Sequence, residues 1–451
     1  MKRLLCGLLP LLAVSCVQLP APHMTVPAAY LYGEGFNRDS LPCDFRWWER
    51  FGDSTLNRIE ERALEGNYDL AVAASRVEQA RRNLAVARAA WLPAVGAELS
   101  ASGGRTDGVT EQHYAIAPAL QWEVSLFGAL RAANREAKAE ILASEWAFRG
   151  AVLSLTAEVA TVYFTLLEYE RDLTIAERTY ELRSESAALV DSMARYGMAS
   201  GIARDQARSL MYEAAADRAQ YRRLVEQTQL NLLLLLGEEP KAFDVRGWGG
   251  RLLRDVLPES VPAGLPSDLL TRRPDVMEAL FTLESSAARV GMARAARFPT
   301  LSLTASGGVA SRSLEGLTSG SPGMWSAAAK LVQPLFAFGK LKRQEQAARE
   351  AYYQELFRYE QSLLQAFSDV ESALSGIAAC REQTEQYRES VSKNELAAFR
   401  TRALYRSGMS AYLDVIDAER TYYESETRLV SLTVQQYIGY VNLFKALGGG
   451  W

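Results

Sequence analysis

Two strips of this chain carry apolar residues at helical spacing for much longer than a globular helix requires. From Gly128 to Gly197 about 68 residues pass without a proline and with one interior glycine, Gly150. Val152, Leu155, Val159, Val162, Phe164 and Leu167 recur there at helical intervals among Glu158, Glu168, Arg171 and Asp172, which predicts an amphipathic helix. At ~1.5 Å per residue it would be ~100 Å long, against three or four turns for an ordinary helix. A second strip, Gly339 to Gly408, has nearly the same length and matching ends. Leu126-Phe127-Gly128 and Phe336-Ala337-Phe338-Gly339 lead into the two strips; Tyr196-Gly197-Met198 and Tyr405-Arg406-Ser407-Gly408-Met409 close them. A duplicated helix of this length is a spacer across a fixed distance.

Ahead of each strip the period changes to two. Val95, Ala97, Leu99 and Ala101 alternate with Gly96, Glu98, Ser100 and Ser102, predicting a strand with one apolar and one polar face. Gly103 to Gly108 reads as a loop. A return strand from Gln112 to Ser125 puts Tyr114, Ile116, Leu120, Trp122 and Val124 on one side and His113, Gln121 and Glu123 on the other. In the second half Leu301, Leu303 and Ala305 alternate with Thr300, Ser302, Thr304 and Ser306, a Gly/Ser loop follows, and a return strand is predicted from Trp325 to Phe336, its alternation blurred at Gln333-Pro334. Helices flank these strands: Asp53 as N-cap to Leu64, Asn67 to Trp91 before Pro93, and Pro274 to Arg297 before Pro299. Breaks at Gly197–Gly201 and Ser407–Ala411 precede helices reaching Leu236 and Leu447. Matching landmarks lie about 206 to 211 residues apart. The chain thus divides into residues 1–15, 16–64, a first repeat 65–236, a Gly/Pro/Trp-rich linker 237–265, a second repeat 266–447 and a tail 448–451.

These lengths constrain the assembly. In each half the helix before the strand pair (~24 residues) and the helix after the strip (~36) sum nearly to the strip, so end to end they make a pseudo-continuous antiparallel rod. Each half is a two-stranded hairpin on a helical hairpin. Two strands alone are unstable, and four cannot close a barrel. An apolar sheet face needs lipid, and in lipid only a closed barrel satisfies its backbone. Oligomerisation is the smallest repair. Three chains would give twelve strands, within the even-numbered range of outer-membrane barrels, although symmetry alone allows two or four chains equally.

Composition fixes the compartment. With 451 residues, 48% apolar, the chain can bury a large core, and 50 Lys+Arg against 54 Asp+Glu give no argument for a nucleic-acid partner. Lys2-Arg3 followed by the apolar run Leu4 to Val14 reads as a secretory signal peptide (1–15), too short to span a membrane. It ends Leu11-Leu12-Ala13-Val14-Ser15-Cys16, which resembles a bacterial lipoprotein signal, with Cys16 acylated and the new N-terminus of a lipidated arm. Val17 is not the aspartate that in such proteins favours inner-membrane retention. Cys43 and Cys380 are read as free thiols.

Leu265-Pro266-Ser267-Asp268-Leu269-Leu270-Thr271-Arg272-Arg273-Pro274-Asp275-Val276 resembles the signature of outer-membrane efflux lipoproteins of the OprM and NodT type, relatives of the TolC channel. Ala293-Arg294-Ala295-Ala296-Arg297-Phe298-Pro299-Thr300-Leu301 and Tyr412-Leu413-Asp414-Val415-Ile416-Asp417-Ala418-Glu419-Arg420 continue the likeness, which covers the mature chain. The resemblance implies a mainly α fold with β: a TolC-like homotrimer whose chains each give four strands to a twelve-stranded outer-membrane barrel and long helices to a periplasmic α-barrel. It implies an equatorial belt from the linker and chain ends, and a passive conduit for small molecules, drugs foremost, served by a periplasmic adaptor and an inner-membrane pump of the RND type. Ser125, Leu280 and Ala203 depart from the family pattern; Ala203 stands where an aspartate is common.

The same resemblance assigns site residues. Gly197-Met198 and Gly408-Met409 become tips that dock the adaptor, glycine ending each helix in the left-handed conformation and methionine offering an adaptable apolar contact. Leu413 and Asp417, four apart on one helical face, match the residues lining the narrowest rings, the channel gate. Tyr405, Arg406 and Asp414 are gate-tying candidates. No catalytic machinery is legible: His23 and His113 stand far apart, and there is no phosphate-binding glycine loop or nucleophile elbow, so no cofactor, metal or enzyme activity is expected. Type I protein secretion and a trimeric stalk or adhesin are the rivals, the stalk disfavoured by paired amphipathic strands and unsustained heptads.

Overall fold

A computed structural model describes residues 19–22, 27, 30–32, 46–106, 109–240, 269–317, 319 and 323–449. Cys16, Cys43, the signal peptide, most of the linker and the first four residues of the Leu265–Val276 motif lie outside them. Both predicted strips are single helices of 67 residues, α3 (Ala129–Arg195) and α6 (Lys340–Arg406), each closed by a 35-residue partner, α4 (Gly201–Leu235) and α7 (Tyr412–Ala446). The helices ahead of the strands, α2 (Tyr68–Ala89) and α5 (Pro274–Ala295), have 22 residues each. A short α1 (Ser54–Gly66) precedes them, its start fixed by Asp53, whose side chain accepts from the backbone N–H of Thr55 and Leu56 as the sequence predicts. The duplication is thus structural: α3/α6 and α4/α7 are offset by 211 residues, α2/α5 by 206.

The described residues fall into two compact units. One (from Ala74–Ala147 and Met277–Ser362) contains a four-stranded antiparallel sheet in the order β1 (Ala94–Thr106), β2 (Val109–Val124), β3 (Thr300–Ser311), β4 (Gly323–Val332). Register confirms the two faces. Val95, Leu99, Ile116, Leu120, Leu303 and Leu331 share one side, because Val95 pairs with Leu120, Leu99 with Ile116, Trp122 with Leu303, and Leu301 with Leu331. Glu98, Ser100, Ser102, Glu123, Ser302, Ser306 and Lys330 share the other, where the Ser306 and Ser326 hydroxyls lie 2.8 Å apart. Among the described residues much of the apolar side is uncovered: Val95 is 74% exposed, Leu99 76% and Trp325 83%.

The strands depart from expectation at three places. The predicted Gly103–Gly108 loop is mostly strand, since Gly103 and Gly104 pair with Gln112 and Glu111 and a ladder needs only their backbones. β3 likewise runs through Gly307 and Gly308 to Ser311; a Cβ on Gly308 would meet the Ile116 carbonyl at 2.1 Å, so only glycine fits that approach. Beside it the β2–β3 ladder skips Pro118, which has no N–H to give. β4 ends at Val332 rather than Phe336, since Pro334 cannot continue the ladder and Gln333 donates its amide to the Arg297 carbonyl at 3.0 Å.

The other unit (Thr25–Ala73, Phe148–Val276, Leu363–Trp451, where described) is organised on aromatic packing. Phe164 stacks on Tyr437 at 4.9 Å, Trp47 on Phe444 at 5.4 Å, and Phe51 sits edge-on to Phe164. The apolar stripe of α3 points here, with Val159, Tyr163 and Leu166 fully buried. The Tyr163 hydroxyl donates to Asp53 at 2.5 Å, so the α1 cap is also a tertiary tie. Arg273, from the family-like motif, is buried and fastens three segments. Its guanidinium meets Asp275 at 2.7 Å and Asp369 at 2.8 Å and donates to the carbonyls of Ala366 and Ala446.

Candidate functional site

The candidate site is the pair of turns that end the two long helices. Each long helix stops in the same way. Gly197 has φ +75° and Gly408 φ +76°, left-handed values that close a Schellman motif. Met198 N–H donates to the Met193 carbonyl at 2.8 Å and Gly197 N–H to Ala194 at 3.1 Å; Met409 donates to Leu404 and Gly408 to Tyr405, both at 2.9 Å. Around both glycines there is open space, and Met198 (66%) and Met409 (72%) project outward.

The returning helices start differently, and the difference explains Ala203. In the first repeat Ser200 is the N-cap and its hydroxyl accepts from the Ala203 N–H at 3.1 Å. In the second the cap position is Ala411, which has no hydroxyl, and Asp414 three residues on accepts from the Ala411 N–H at 3.1 Å and from the Ser410 hydroxyl at 2.9 Å. These are the two halves of one capping box, one kept in each repeat. Ala203 packs on an apolar cluster of Ala187, Val190, Ala207, Tyr412 and Val415, where a carboxylate would be desolvated. Asp414, expected to tie neighbouring helices, is within this chain a helix cap.

Leu413 and Asp417 occupy one exposed face of the first turns of α7. Leu413 is 55% exposed, and Asp417 takes a 3.3 Å contact from Arg420 on its own helix. At the offset of 211, Ile202 and Gln206 are their first-repeat counterparts, so the acidic position is not duplicated. Tyr405 packs on Tyr412 at 5.2 Å, and burial raises the pKa of both hydroxyls, that of Tyr412 to about 12 with Glu419 contributing. Arg406, expected to meet a carboxylate, makes no ion pair among the described residues. The arginine that does is Arg402, one turn earlier. Its Nε and Nη2 reach one oxygen of Glu419 at 3.0 and 2.7 Å, joining α6 to α7. Tyr405, Arg406 and Arg402 line a cavity of about 320 Å³ with Leu189, Met193 and Val415. In the first repeat Asp191 plays the corresponding part: Arg195 of α3 and Arg208 of α4 both reach it at 2.7 Å and hold its pKa down.

Further along the same unit lies an acidic cluster that periodicity could not single out. Asp172 is 5% exposed, and one of its oxygens has no hydrogen-bond partner. Burial first, then Glu168 and Glu426, push its carboxyl up to about 7, against the lowering effect of Arg171. Tyr221 of α4 is pushed up to about 12 by burial and by Asp172, while Glu426 of α7 is held by Arg178 of α3. Cys380 is a half-buried free thiol on α6.

The model of the family "Outer membrane efflux protein" matches residues 60–238 and 265–449, one match for each repeat. The chain is 33% identical to the solvent efflux pump outer membrane protein SrpC of Pseudomonas putida, over 96% of this chain and 94% of that one. It is 31% identical to the probable outer membrane lipoprotein SilC of Salmonella typhimurium, over 97% and 96%. Among solved structures, the open state of the MtrE outer membrane channel of Neisseria gonorrhoeae superposes with a TM-score of 0.84 at 28% identity, covering 96% of this chain and 97% of that one.

Proposed function

We propose, from the premise that this chain belongs to the outer membrane efflux protein family, that it is the outer-membrane conduit of a tripartite efflux system. As a family member it is an outer-membrane efflux channel, of a kind that performs no catalysis. Three copies close their four-stranded sheets into a twelve-stranded barrel, the helices form a periplasmic tube, and Cys16 carries a lipid anchor. The channel is passive; a periplasmic adaptor docks on the Gly197-Met198 and Gly408-Met409 turns, and an inner-membrane pump of the RND type chooses the cargo. Small organic molecules, drugs foremost, are that cargo; the name of the relative SrpC gives solvents as the cargo of its own system.

The observation that carries this reading is the sheet. Its apolar face is exposed, and β1 and β4 leave an open edge on either side. A closed multi-chain barrel in lipid covers that face and satisfies both edges together. The test is assembly. The full-length protein should be labelled by palmitate in cells, lose the label on Cys16→Ser, and fractionate as an outer-membrane trimer. A monomeric, unlipidated protein in the soluble fraction would overturn the proposal.

A further inference from the structure

The polar face of the sheet is built mainly from small residues. Gly96, Ser100, Ala117, Ser302, Thr304 and Ala328 are typical of it. Side chains of this size leave the space over that face open, so the few long charged ones dominate its field. Register places four of them: Glu98 on β1, Glu111 and Glu123 on β2, and Lys330 on β4. Lys330 is the single lysine or arginine on that face among the described residues; His113 of β2 shares the face, 3.7 Å from Glu111. Two of the four share a row. Glu123 pairs with Ser302, and Ser302 pairs with Lys330, so a carboxylate and an ammonium flank one serine.

The row lies at the end of the sheet nearest the helices. Glu123 precedes the β2 terminus by one residue, Ser302 follows the β3 start by two, and Lys330 precedes the β4 terminus by two. Two strand spacings of ~4.8 Å put the charges ~10 Å apart, too far for an ion pair and about one Debye length in physiological salt. Neither has a counter-ion among the described residues, and both are exposed. Each therefore acts on whatever passes, not on its neighbour.

We propose that the Glu123–Ser302–Lys330 row sets the charge preference of the barrel lumen, with Lys330 moderating a surface that is otherwise acidic. This rests on the trimeric-barrel reading above. On closure the row becomes a ring of three carboxylates and three ammonium groups on alternate strands, below a wall whose long acidic side chains are Glu98 and Glu111, with His113 beside Glu111. Such a lumen favours cations modestly and passes neutral and cationic solutes more readily than anions. Lys330 is then a specificity-determining residue whose reversal leaves the fold untouched, because its side chain packs against nothing.

The experiment is reversal potential across a planar bilayer under a tenfold KCl gradient, with the purified full-length protein, every form compared in a Leu413→Ala, Asp417→Ala background that removes the carboxylates of the tip. Wild type should give modest cation preference. Lys330→Glu should raise the K⁺/Cl⁻ permeability ratio by roughly threefold or more, Glu123→Gln should lower it, and the swap of Glu123→Lys with Lys330→Glu should restore a value near wild type. Channels of normal conductance whose reversal potential ignores Lys330→Glu would overturn the inference and leave the channel reading standing. Absence of any conductance from well-assembled wild-type protein would overturn the channel reading and this inference with it.

Discussion

Arg402 and Glu419 lock α6 to α7 one turn behind the tip: two guanidinium nitrogens converge on one carboxylate oxygen at 2.7 and 3.0 Å, with the Glu419 side chain only 11% exposed. Charge-assisted bonds of this kind are worth about 1.5–3 kcal/mol where water is scarce. Glu419→Gln and Arg402→Ala should each lower thermal stability, and the double mutant should cost less than their sum. A double-mutant cycle on the melting temperature measures this; additive effects would mean that the pair is not coupled.

Asp172 predicts an unusual pH dependence. Its folded pKa lies near 7, above its ordinary value of 3.8, so the folded chain holds the proton more tightly than the unfolded one. The stability it contributes is therefore full below about pH 4, declines as pH rises, and is lost above about pH 7. Asp172→Asn cannot ionise. Its melting temperature should match wild type near pH 4 and exceed it by a few degrees at pH 8. Parallel profiles for the two proteins would show that Asp172 does not titrate in this window.

The sheet faces are tested by neighbouring substitutions. Leu301 lies on the apolar side and Ser302 on the polar side. A charge on a lipid-facing position costs about 2–4 kcal/mol at mid-bilayer and less near the interface, and a trimer repeats the cost three times. Leu301→Arg should reduce assembled trimer in the outer membrane, whereas Ser302→Arg should be tolerated. Quantifying heat-modifiable trimer on gels decides it, and the reverse ranking would mean the faces are inverted.

At the tips, contact can be separated from strain. Gly408 sits at φ +76°, so Gly408→Trp brings both bulk and a strained backbone. Asn tolerates that conformation, and Met409 needs no special one. Gly408→Trp and Met409→Asp should each abolish efflux with the trimer intact, while Gly408→Asn should keep much of it. Drug-accumulation assays and trimer quantification together give the answer; loss of trimer in Met409→Asp would make the turn structural rather than a docking surface.

The large elements were legible because their signals are long and periodic: the ends of α3 and α6 were marked by Gly128, Gly197, Gly339 and Gly408, and the alternation of β1 and β3 gave the faces. Hairpin lengths were not, because Gly103-Gly104 and Gly307-Gly308 look like turns in sequence while their backbones pair in the ladder. At the tip the positions of Leu413 and Asp417 on one face followed from their spacing. The Arg402–Glu419 lock did not, because it depends on the packing of two helices, and the adjacent Arg406 was an equally reasonable partner. The role of Asp414 as a cap was legible in principle: Ala411 cannot cap, and an aspartate three residues later supplies the missing half.

The central claim is that three copies form a channel held shut at the turns bearing Leu413 and Asp417. These two exposed side chains would line its narrowest point. Single-channel conductance of the purified protein in a planar bilayer tests this most directly. The account predicts small, brief openings for wild type and several-fold larger, sustained conductance for Leu413→Ala combined with Asp417→Ala, with the trimer unchanged. Equal conductance from wild type and a properly assembled double mutant would contradict it.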